Sequence, residues 1–125
     1  MGYLTGKIDV GTTLDPQTDL RSGFDRFSRE NLDANRPIVA LLRQVAVREN
    51  ATPAQVALAW LLAQKPFIVP IPGTRNLDHL NENLGAIDVQ LTPSDPRELE
   101  TAFSEIRVHG GRMSEKHMRD VDQTV

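Results

Sequence analysis

The chain has 125 residues, of which 39% are apolar and 25% charged, which is the composition of one folded domain rather than of a disordered chain. It contains no cysteine, which excludes disulfides and thiolate metal sites and makes a reducing cytosol the default compartment. The formal net charge is −3, the basic residues are scattered and no apolar run approaches a membrane span, so neither a nucleic acid nor a membrane is an expected partner.

The first part of the chain predicts a long loop followed by an amphipathic helix. Residues 2–27 are rich in glycine, threonine, aspartate and serine and show no sustained period, as expected of a loop. Ser28 is a plausible N-cap for the helix, Pro37 fits only near its start, and the helix ends near Asn50. Its apolar residues recur at three- and four-residue steps: Leu32, Ile38, Leu41, Leu42, Val45 and Ala46.

A second helix, predicted over 54–64, is expected to be buried. Thr52 at the N-cap, Pro53 at the first helical position and Gln55 three residues after the cap form a strong start signal. Nearly every residue of this helix is apolar, so it needs cover on most of its sides.

One short strand is predicted over 67–71, where an apolar run begins after Pro66. A run that is apolar on both faces is typical of a buried strand in a parallel sheet. A lone strand, however, leaves backbone N–H and C=O groups unpaired on both edges, and sheets need several strands. The sequence therefore predicts an α/β fold whose neighbouring strands and helices lie outside these residues or come from another copy.

The rest of the chain predicts two further helices and a polar tail. One helix spans about 76–85, and the next is capped by Thr92-Pro93 or Ser94 and ends near Ile106. The tail, Val108 to Val125, is broken at Gly110-Gly111 and has room for one short helical turn. The side chains expected to face inward are Leu77, Leu80 and Leu84 in the first helix, and Leu99, Ala102, Phe103 and Ile106 in the second.

The turn between the predicted strand and the helix at 76 carries the residues best suited to an anion. Ligands of barrels and open α/β sheets bind at the carboxyl ends of parallel strands. Gly73 lacks a β-carbon and lets a ligand approach the backbone, and the next helix offers N–H groups and a partial positive charge at its N-terminus. Thr74 adds a hydroxyl, and Arg75 adds a guanidinium that matches a phosphate. The pattern indicates a cradle for a phosphomonoester or pyrophosphate.

These features also have ordinary structural explanations. Pro-Gly-Thr between a strand and a helix is common turn chemistry, and an arginine in a first turn is often only solvated. Glu82 and Asn83 by themselves indicate no more than solvent-facing helix residues. The three histidines, His79, His109 and His117, are too widely spaced for a compact metal motif, so no metal is expected. Spacing alone leaves both interpretations of the turn open.

Several separated stretches, in order, resemble the C-terminal third of the aldo-keto reductases. The stretches run from Arg26 to Leu32, from Ala51 to Leu62 and from Ile68 to Thr74, and Glu82-Asn83 follows. That family consists of NADP(H)-dependent (β/α)8 barrels that reduce aldehydes and ketones. The resemblance, from Gly2 to about Leu99, implies a C-terminal fragment of such a TIM barrel that begins after the seventh strand. Within 1–125 it implies one partial domain: loop 1–27, helices within 28–64, the last barrel strand 67–71, helix 76–85, and a C-terminal helix and tail over 92–125.

The resemblance also implies which residues of the opening loop bind NADP. The loop that begins at Tyr3 is expected to fold over the cofactor. Lys7 matches a lysine near the pyrophosphate, and Asp19 and Arg21 match loop residues that clasp the cofactor from outside.

A second set of implied cofactor-binding residues surrounds the adenosine end. His79 stands where many members carry an arginine against the adenine ring, so the contact there would be an imidazole stack. Glu82 and Asn83 match the pair that reads the adenine amine. The residues that match the surroundings of the 2′-phosphate are Pro72, Gly73, Thr74 and Arg75.

The family's catalytic set, an aspartate, a tyrosine, a lysine and a histidine from early barrel strands, has no counterpart in this sequence. Tyr3, the only tyrosine, matches a loop position rather than the proton donor. The resemblance therefore implies the cofactor-binding portion of a cytoplasmic NADPH-dependent reductase, inactive by itself, whose intact form acts on a small carbonyl substrate.

Two other functions stay open. The family also includes channel-associated β subunits, so a non-catalytic NADP-binding or regulatory module is an alternative. A truncated product with no function of its own is another, and its free strand edges and apolar helix would then drive self-association.

Overall fold

Helices supply all the regular structure in the residues that the computed structural model describes, 1–92 and 95–119. Short 3-10 turns lie within the opening loop at Tyr3–Thr5, Leu20–Gly23 and Asp25–Phe27, and a fourth covers Gly85–Asp88. None of the helices in these described ranges is long and apolar enough to cross a membrane. The α-helices are α1 (Arg29–Ala34), α2 (Arg36–Arg48), α3 (Pro53–Gln64), α4 (Leu77–Leu84), α5 (Asp95–Glu105) and α6 (Glu115–Met118).

The single helix predicted after Ser28 is two helices. The start signal is confirmed, because the Ser28 hydroxyl accepts a hydrogen bond from the Asn31 amide at 3.2 Å. The chain then breaks at Asn35 between α1 and α2. A continuous helix would need an N–H from Pro37 to the carbonyl of Asp33, and proline has none. In α2 the proline is the second residue, where a missing N–H costs nothing.

Helix α3 starts as predicted but is less buried than predicted. Its capping box is complete, since the Thr52 amide donates to Gln55 Oε1 at 2.9 Å and the Gln55 amide donates to Thr52 Oγ1 at 3.2 Å. Val56 and Ala59 are buried, whereas Leu61 and Leu62 are 37% and 41% exposed. The described part of the chain therefore covers only one side of an almost wholly apolar helix.

The predicted strand over 67–71 is wrong for this chain. Residues 68–74 lie outside every helix, turn and strand. Phe67 and Val69 are each 78% exposed and Ile71 is 92% exposed. The composition of a central strand is present, but within the described residues no neighbouring strand exists to pair with it, and a strand is defined by that pairing.

Helix α4 lies where it was predicted, but its apolar face is not buried. Leu77, Leu80 and Leu84 share one side of the helix and are 75%, 42% and 54% exposed. The inward orientation expected for these leucines is therefore wrong within this chain. The surface that would cover them is absent from the described residues.

The main core joins α2, α3 and α5. Trp60 meets Phe103 edge to face at its margin, with ring centroids 6.3 Å apart. Leu99 is fully buried, as predicted, and Phe103 is half-buried. The buried residues are Leu42, Val45, Ala46, Val56 and Leu99.

A buried carboxylate fastens α5 to the end of α2. Asp95 is 1% exposed and accepts hydrogen bonds from both the amide and the hydroxyl of Thr92 at 2.6 Å, and from Arg48. Burial works to raise the pKa of Asp95, but the bonds from Thr92 and Arg48 outweigh it and hold the pKa below its ordinary value. Of the residues predicted to cap this helix, Thr92 is described and bonds to Asp95, whereas Pro93 and Ser94 lie outside the described residues.

A second, smaller core holds the opening loop against α1 and the C-terminal tail. Its buried residues are Ile8, Phe24, Phe27 and Leu32, with Met113 of the tail packed against them. The tail is fixed by a reciprocal pair: Asn35 Nδ2 donates to the His109 carbonyl and Asn35 Oδ1 accepts from the His109 amide, both at 2.9 Å. The opening loop is thus anchored by residues from the far end of the chain.

The tail contact depends on a glycine. Gly110 has φ +81°, and a β-carbon there would lie 2.6 Å from the backbone nitrogen of Arg26. We expect Gly110→Ala to detach residues 109–117 from the opening loop, because backbone atoms cannot move aside cheaply. Trypsin should then cleave faster after Arg112. Gly23→Ala is the matched control, since its β-carbon would meet nothing within 4 Å. Unchanged cleavage in Gly110→Ala would contradict this account.

The buried carboxylate gives a second prediction. We expect Asp95→Asn to lower the free energy of unfolding by about 1–3 kcal/mol, because Arg48 and Thr92 lose a charged acceptor that is shielded from water. Glu98 contacts the same guanidinium at 3.1 Å but is half-exposed, so Glu98→Gln should cost less than about 1 kcal/mol. Urea unfolding measures both variants. Because the pKa of Asp95 is depressed, its stabilisation should be present at neutral pH and be lost as the pH falls through that pKa.

Candidate functional site

The turn at 72–75 is open to solvent. Pro72, Gly73, Thr74 and Arg75 are all exposed. A β-carbon built on Gly73 meets nothing within 4 Å, so no contact within this chain requires glycine there. The turn therefore leaves room for an external group beside the Arg75 guanidinium.

The N-terminus of α4 differs from the expected set of unpaired amides. Asn76 is the N-cap, and its Oδ1 accepts from the amides of Asp78 at 2.8 Å and His79 at 3.2 Å. Thr74 Oγ1 accepts from the Asn76 amide at 3.1 Å, so the hydroxyl serves the turn itself. Asp78 also places a negative charge in the first turn. An anion here would rely on Arg75 rather than on these two amides.

Sequence reasoning missed the role of Asn76, although a signal was present. Asparagine is among the preferred N-cap residues, and this one stands directly before Leu77, the first residue of the helix. An N-cap at Asn76 predicts that the asparagine side chain accepts hydrogen bonds from amides of the first helical turn, which are then not free for a ligand.

His79, Glu82 and Asn83 lie together on α4. Their spacing of three and four residues places them on one face of the helix. His79 is exposed, whereas Glu82 and Asn83 are half-buried. The helix thus presents an imidazole, a carboxylate and an amide along the side that begins near the 72–75 turn.

The opening loop reaches this helix through Lys7. The Lys7 ammonium nitrogen is 3.9 Å from Glu82 Oε2, with the lysine side chain 62% exposed and the glutamate side chain 21% exposed. A pair this long and this exposed contributes little to stability. Its significance is positional, because it brings a cation of the loop beside the helix that carries His79 and Asn83.

Asp19 and Arg21 form a closed fork rather than two separate contacts. Arg21 Nε donates to Asp19 Oδ1 at 2.9 Å and Arg21 Nη2 donates to Oδ2 at 2.6 Å, while the Arg21 amide donates to Oδ1 at 3.0 Å. These hydrogen bonds lower the pKa of Asp19 to about 2, and the bonds from the Arg21 side chain contribute more than the bond from its amide. The guanidinium also lies 6.0 Å from the Phe27 ring centroid, which ties the fork to the smaller core.

Two exposed cations accompany α4. Lys7 and Arg75 are both exposed; Arg75 directly precedes the N-cap Asn76 in the chain, and Lys7 lies beside Glu82 in the second half of the helix. Within residues 1–92 and 95–119, no three histidine, aspartate or glutamate side chains gather as a metal site. Of the ten residues predicted to bind a cofactor, Lys7 and Glu82 are brought into contact, as are Asp19 and Arg21.

Comparison with known proteins relates this chain to one family. The model of the aldo/keto reductase family matches residues 1–103. Over 111 residues, which are 89% of the chain, it is 38% identical to aldo-keto reductase yakc [NADP(+)] of Schizosaccharomyces pombe and covers 32% of that protein. Over the same length it is 36% identical to aldo-keto reductase str7 of Strobilurus tenacellus and covers 33% of that protein. It is 46% identical to probable aldo-keto reductase 1 of Glycine max over the same length, covering 32% of that protein. The chain spans about a third of the length of these curated relatives.

The fork in the opening loop gives a prediction about protonation. We expect Arg21→Met to raise the pKa of Asp19 from about 2 towards 3.8 without reaching it, because the backbone amide of residue 21 still donates to the carboxylate. Carboxyl-carbon NMR titration measures the change. Arg29→Met, at an exposed arginine of α1, is the control and should leave the Asp19 titration unchanged. If the pKa of Asp19 is the same in Arg21→Met as in the unaltered chain, the fork is refuted.

Proposed function

The chain belongs to the aldo/keto reductase family, and on that premise we propose that it is the cofactor-binding portion of an NADPH-dependent reductase of aldehydes and ketones. The observation that carries the proposal is the exposed 72–75 turn at the head of α4, with Lys7 of the opening loop held beside Glu82. The name of the fission yeast relative, which includes NADP(+), supports the same cofactor class.

Arg75 would hold the 2′-phosphate of the cofactor. The residues fit a phosphate through a guanidinium in open solvent beside a glycine whose missing side chain leaves space. Because Asn76 already accepts from two amides of α4, the side chain must supply most of the charge. A phosphate recognised in this way favours NADP over NAD, since NAD carries a hydroxyl at that position.

The opening loop would close the site from the other side. Lys7 is expected near the pyrophosphate and the Asp19–Arg21 fork on the outside of the loop, with His79, Glu82 and Asn83 towards the adenine. The smaller core and the tail keep this loop folded onto α1. The proposed role of these residues is to bind and orient the cofactor and to exclude water from it.

The bound cofactor supplies the hydride in such a reductase. The aspartate, tyrosine, lysine and histidine of the family's catalytic set would come from chain outside these 125 residues, as would the carbonyl-binding surface. By itself, the 125-residue chain is therefore expected to reduce no carbonyl compound with NADPH.

The test replaces the matched third of the fission yeast relative with this chain. The chimera is expected to oxidise NADPH in the presence of an aldehyde, and Arg75→Ala should raise its KM for NADPH by about ten- to a hundredfold through loss of a charge-assisted contact. The KM for NADH should not change, because NADH lacks the 2′-phosphate that Arg75 is proposed to bind.

Arg97→Ala provides the matched control, since Arg97 is also an exposed arginine but lies on α5. Equal preference for NADPH and NADH in the chimera, unaltered by Arg75→Ala, would refute the role of Arg75. Carbonyl reduction by the 125-residue chain alone would refute the proposal that the catalytic residues lie outside these 125 residues.

A further inference from the structure

The C-terminal tail packs against the opening loop through several kinds of contact, all of which come from residues 109–117. This stretch is called the tail brace below. Arg26 Nε of the loop donates to the Gly111 carbonyl at 2.8 Å. The His117 ring meets the Phe24 ring edge to face, with centroids 5.6 Å apart. Polar and aromatic contacts therefore hold the tail brace and the loop together.

Asn35, between α1 and α2, is a buried side chain whose bonding partner is the tail brace. It is 5% exposed, and its amide group exchanges two hydrogen bonds of 2.9 Å with the backbone of His109. These bonds satisfy both the donor and the acceptor of the side chain. Because an unpaired amide in a buried position is costly, the junction of α1 and α2 is complete only with the tail brace in place.

The tail brace packs against the same small core that anchors the two loop cations of the proposed cofactor site. Ile8, which directly follows Lys7, is a buried member of that core, and Met113 packs against the core from the tail. Phe24 is another buried member, and its amide donates to the Arg21 carbonyl at 3.1 Å. Each cation is therefore tied through the backbone to a core that the tail brace covers.

The tail brace lies beyond the part of the chain that the family model describes. The match covers residues 1–103, whereas the tail brace begins at His109. The opening loop thus belongs to the family pattern, and the residues that pack against it from the tail do not. An effect of the tail on the cofactor is therefore something that family membership alone does not specify.

We propose that the tail brace positions the opening loop over the bound cofactor and thereby sets the rate at which the cofactor leaves. This inference rests on the proposed function, in which Lys7 lies near the pyrophosphate. A loop that covers a cofactor has to move aside before the cofactor dissociates, and the contacts that hold the loop determine how often it does so. In this scheme Asn35 and Met113 are positioning residues and do not touch the cofactor.

The proposal predicts an effect that is the same for two cofactors. The pyrophosphate is common to NADPH and NADH, so the tail brace slows the release of both. Arg75, in contrast, is proposed to bind the 2′-phosphate, which NADPH alone carries. The contribution of the tail brace is therefore separable from that of Arg75 by comparing the two cofactors.

Hydrogen exchange of the 125-residue chain tests whether the tail brace holds the loop. The amides of Gly6 and Phe24 bond within the loop at 3.0 and 3.1 Å. Met113→Ala should make both exchange about five- to thirtyfold faster, because truncation of a half-buried methionine leaves a gap between the tail and the smaller core. Met113→Leu keeps most of the volume and should restore slow exchange.

Stopped-flow fluorescence of the chimera with the fission yeast relative tests the effect on the cofactor. Met113→Ala should speed the release of NADPH and of NADH by the same factor, again about five- to thirtyfold, and Met113→Leu should reverse the change. Val108→Ala is the matched control, since Val108 is an apolar residue of the same tail that is 65% exposed and precedes the tail brace. It should alter neither hydrogen exchange nor release.

Three results would overturn the proposal. One is loop exchange that is the same in Met113→Ala as in the unaltered chain, and another is faster release of NADPH alone. The third is a chimera that binds both cofactors and releases them at rates that Met113→Ala leaves unchanged, which would refute the role of the tail and leave the proposed function standing. A chimera that binds neither cofactor would refute the proposed function and this inference together.

Discussion

The apolar character of α3 is the constraint on which the rest of this structure depends. A helix that is apolar on nearly every side needs neighbours on nearly every side. Here α2, α5 and the 85–88 turn pack against part of its surface, so Val56 is buried while Leu62 is 41% exposed. The exposed segment after α3 and the exposed leucines of α4 follow from the same shortage. Each is an element made to pack against structure that the described residues do not contain.

The shortage also explains which predictions succeeded. The caps at Ser28 and Thr52 were readable because each one involves residues three positions apart, and their geometry does not depend on the remainder of the fold. The strand over 67–71 was not obtainable in the same way, because composition specifies what a strand prefers while pairing decides whether it forms. The break at Asn35 was accessible from Pro37, whose missing N–H rules out a continuous helix. The family itself could be read from separated stretches, and the match over 1–103 confirms it.

Contacts between distant residues were beyond the sequence. Arg26 Nε donates to the Gly111 carbonyl across 85 positions at 2.8 Å, and nothing in either local pattern announces it. The same holds for Asp95, which reads as an ordinary acidic residue in a first helical turn but is the buried acceptor for Arg48. In the candidate site, the exposed Arg75 was predictable from its place after a glycine turn. The contact between Lys7 and Glu82 was not predictable from the sequence pattern, because the two residues are far apart in the chain and only the folded structure brings them together.

The N-cap of α4 shapes what kind of specificity the site is able to have. A helix N-terminus attracts any anion, and a phosphate held only by backbone amides would be distinguished weakly from another anionic group. Asn76 removes two amides from that role with a neutral acceptor, and Asp78 adds a negative charge beside them. A phosphate that used these two amides would have to displace the asparagine, at a cost of about 1 kcal/mol for the lost cap, whereas binding to the Arg75 side chain needs no such displacement. In the proposed function, recognition of the phosphate would then shift from the helix dipole to the Arg75 guanidinium, and the choice between two cofactors that differ by a single phosphate would depend on that one side chain.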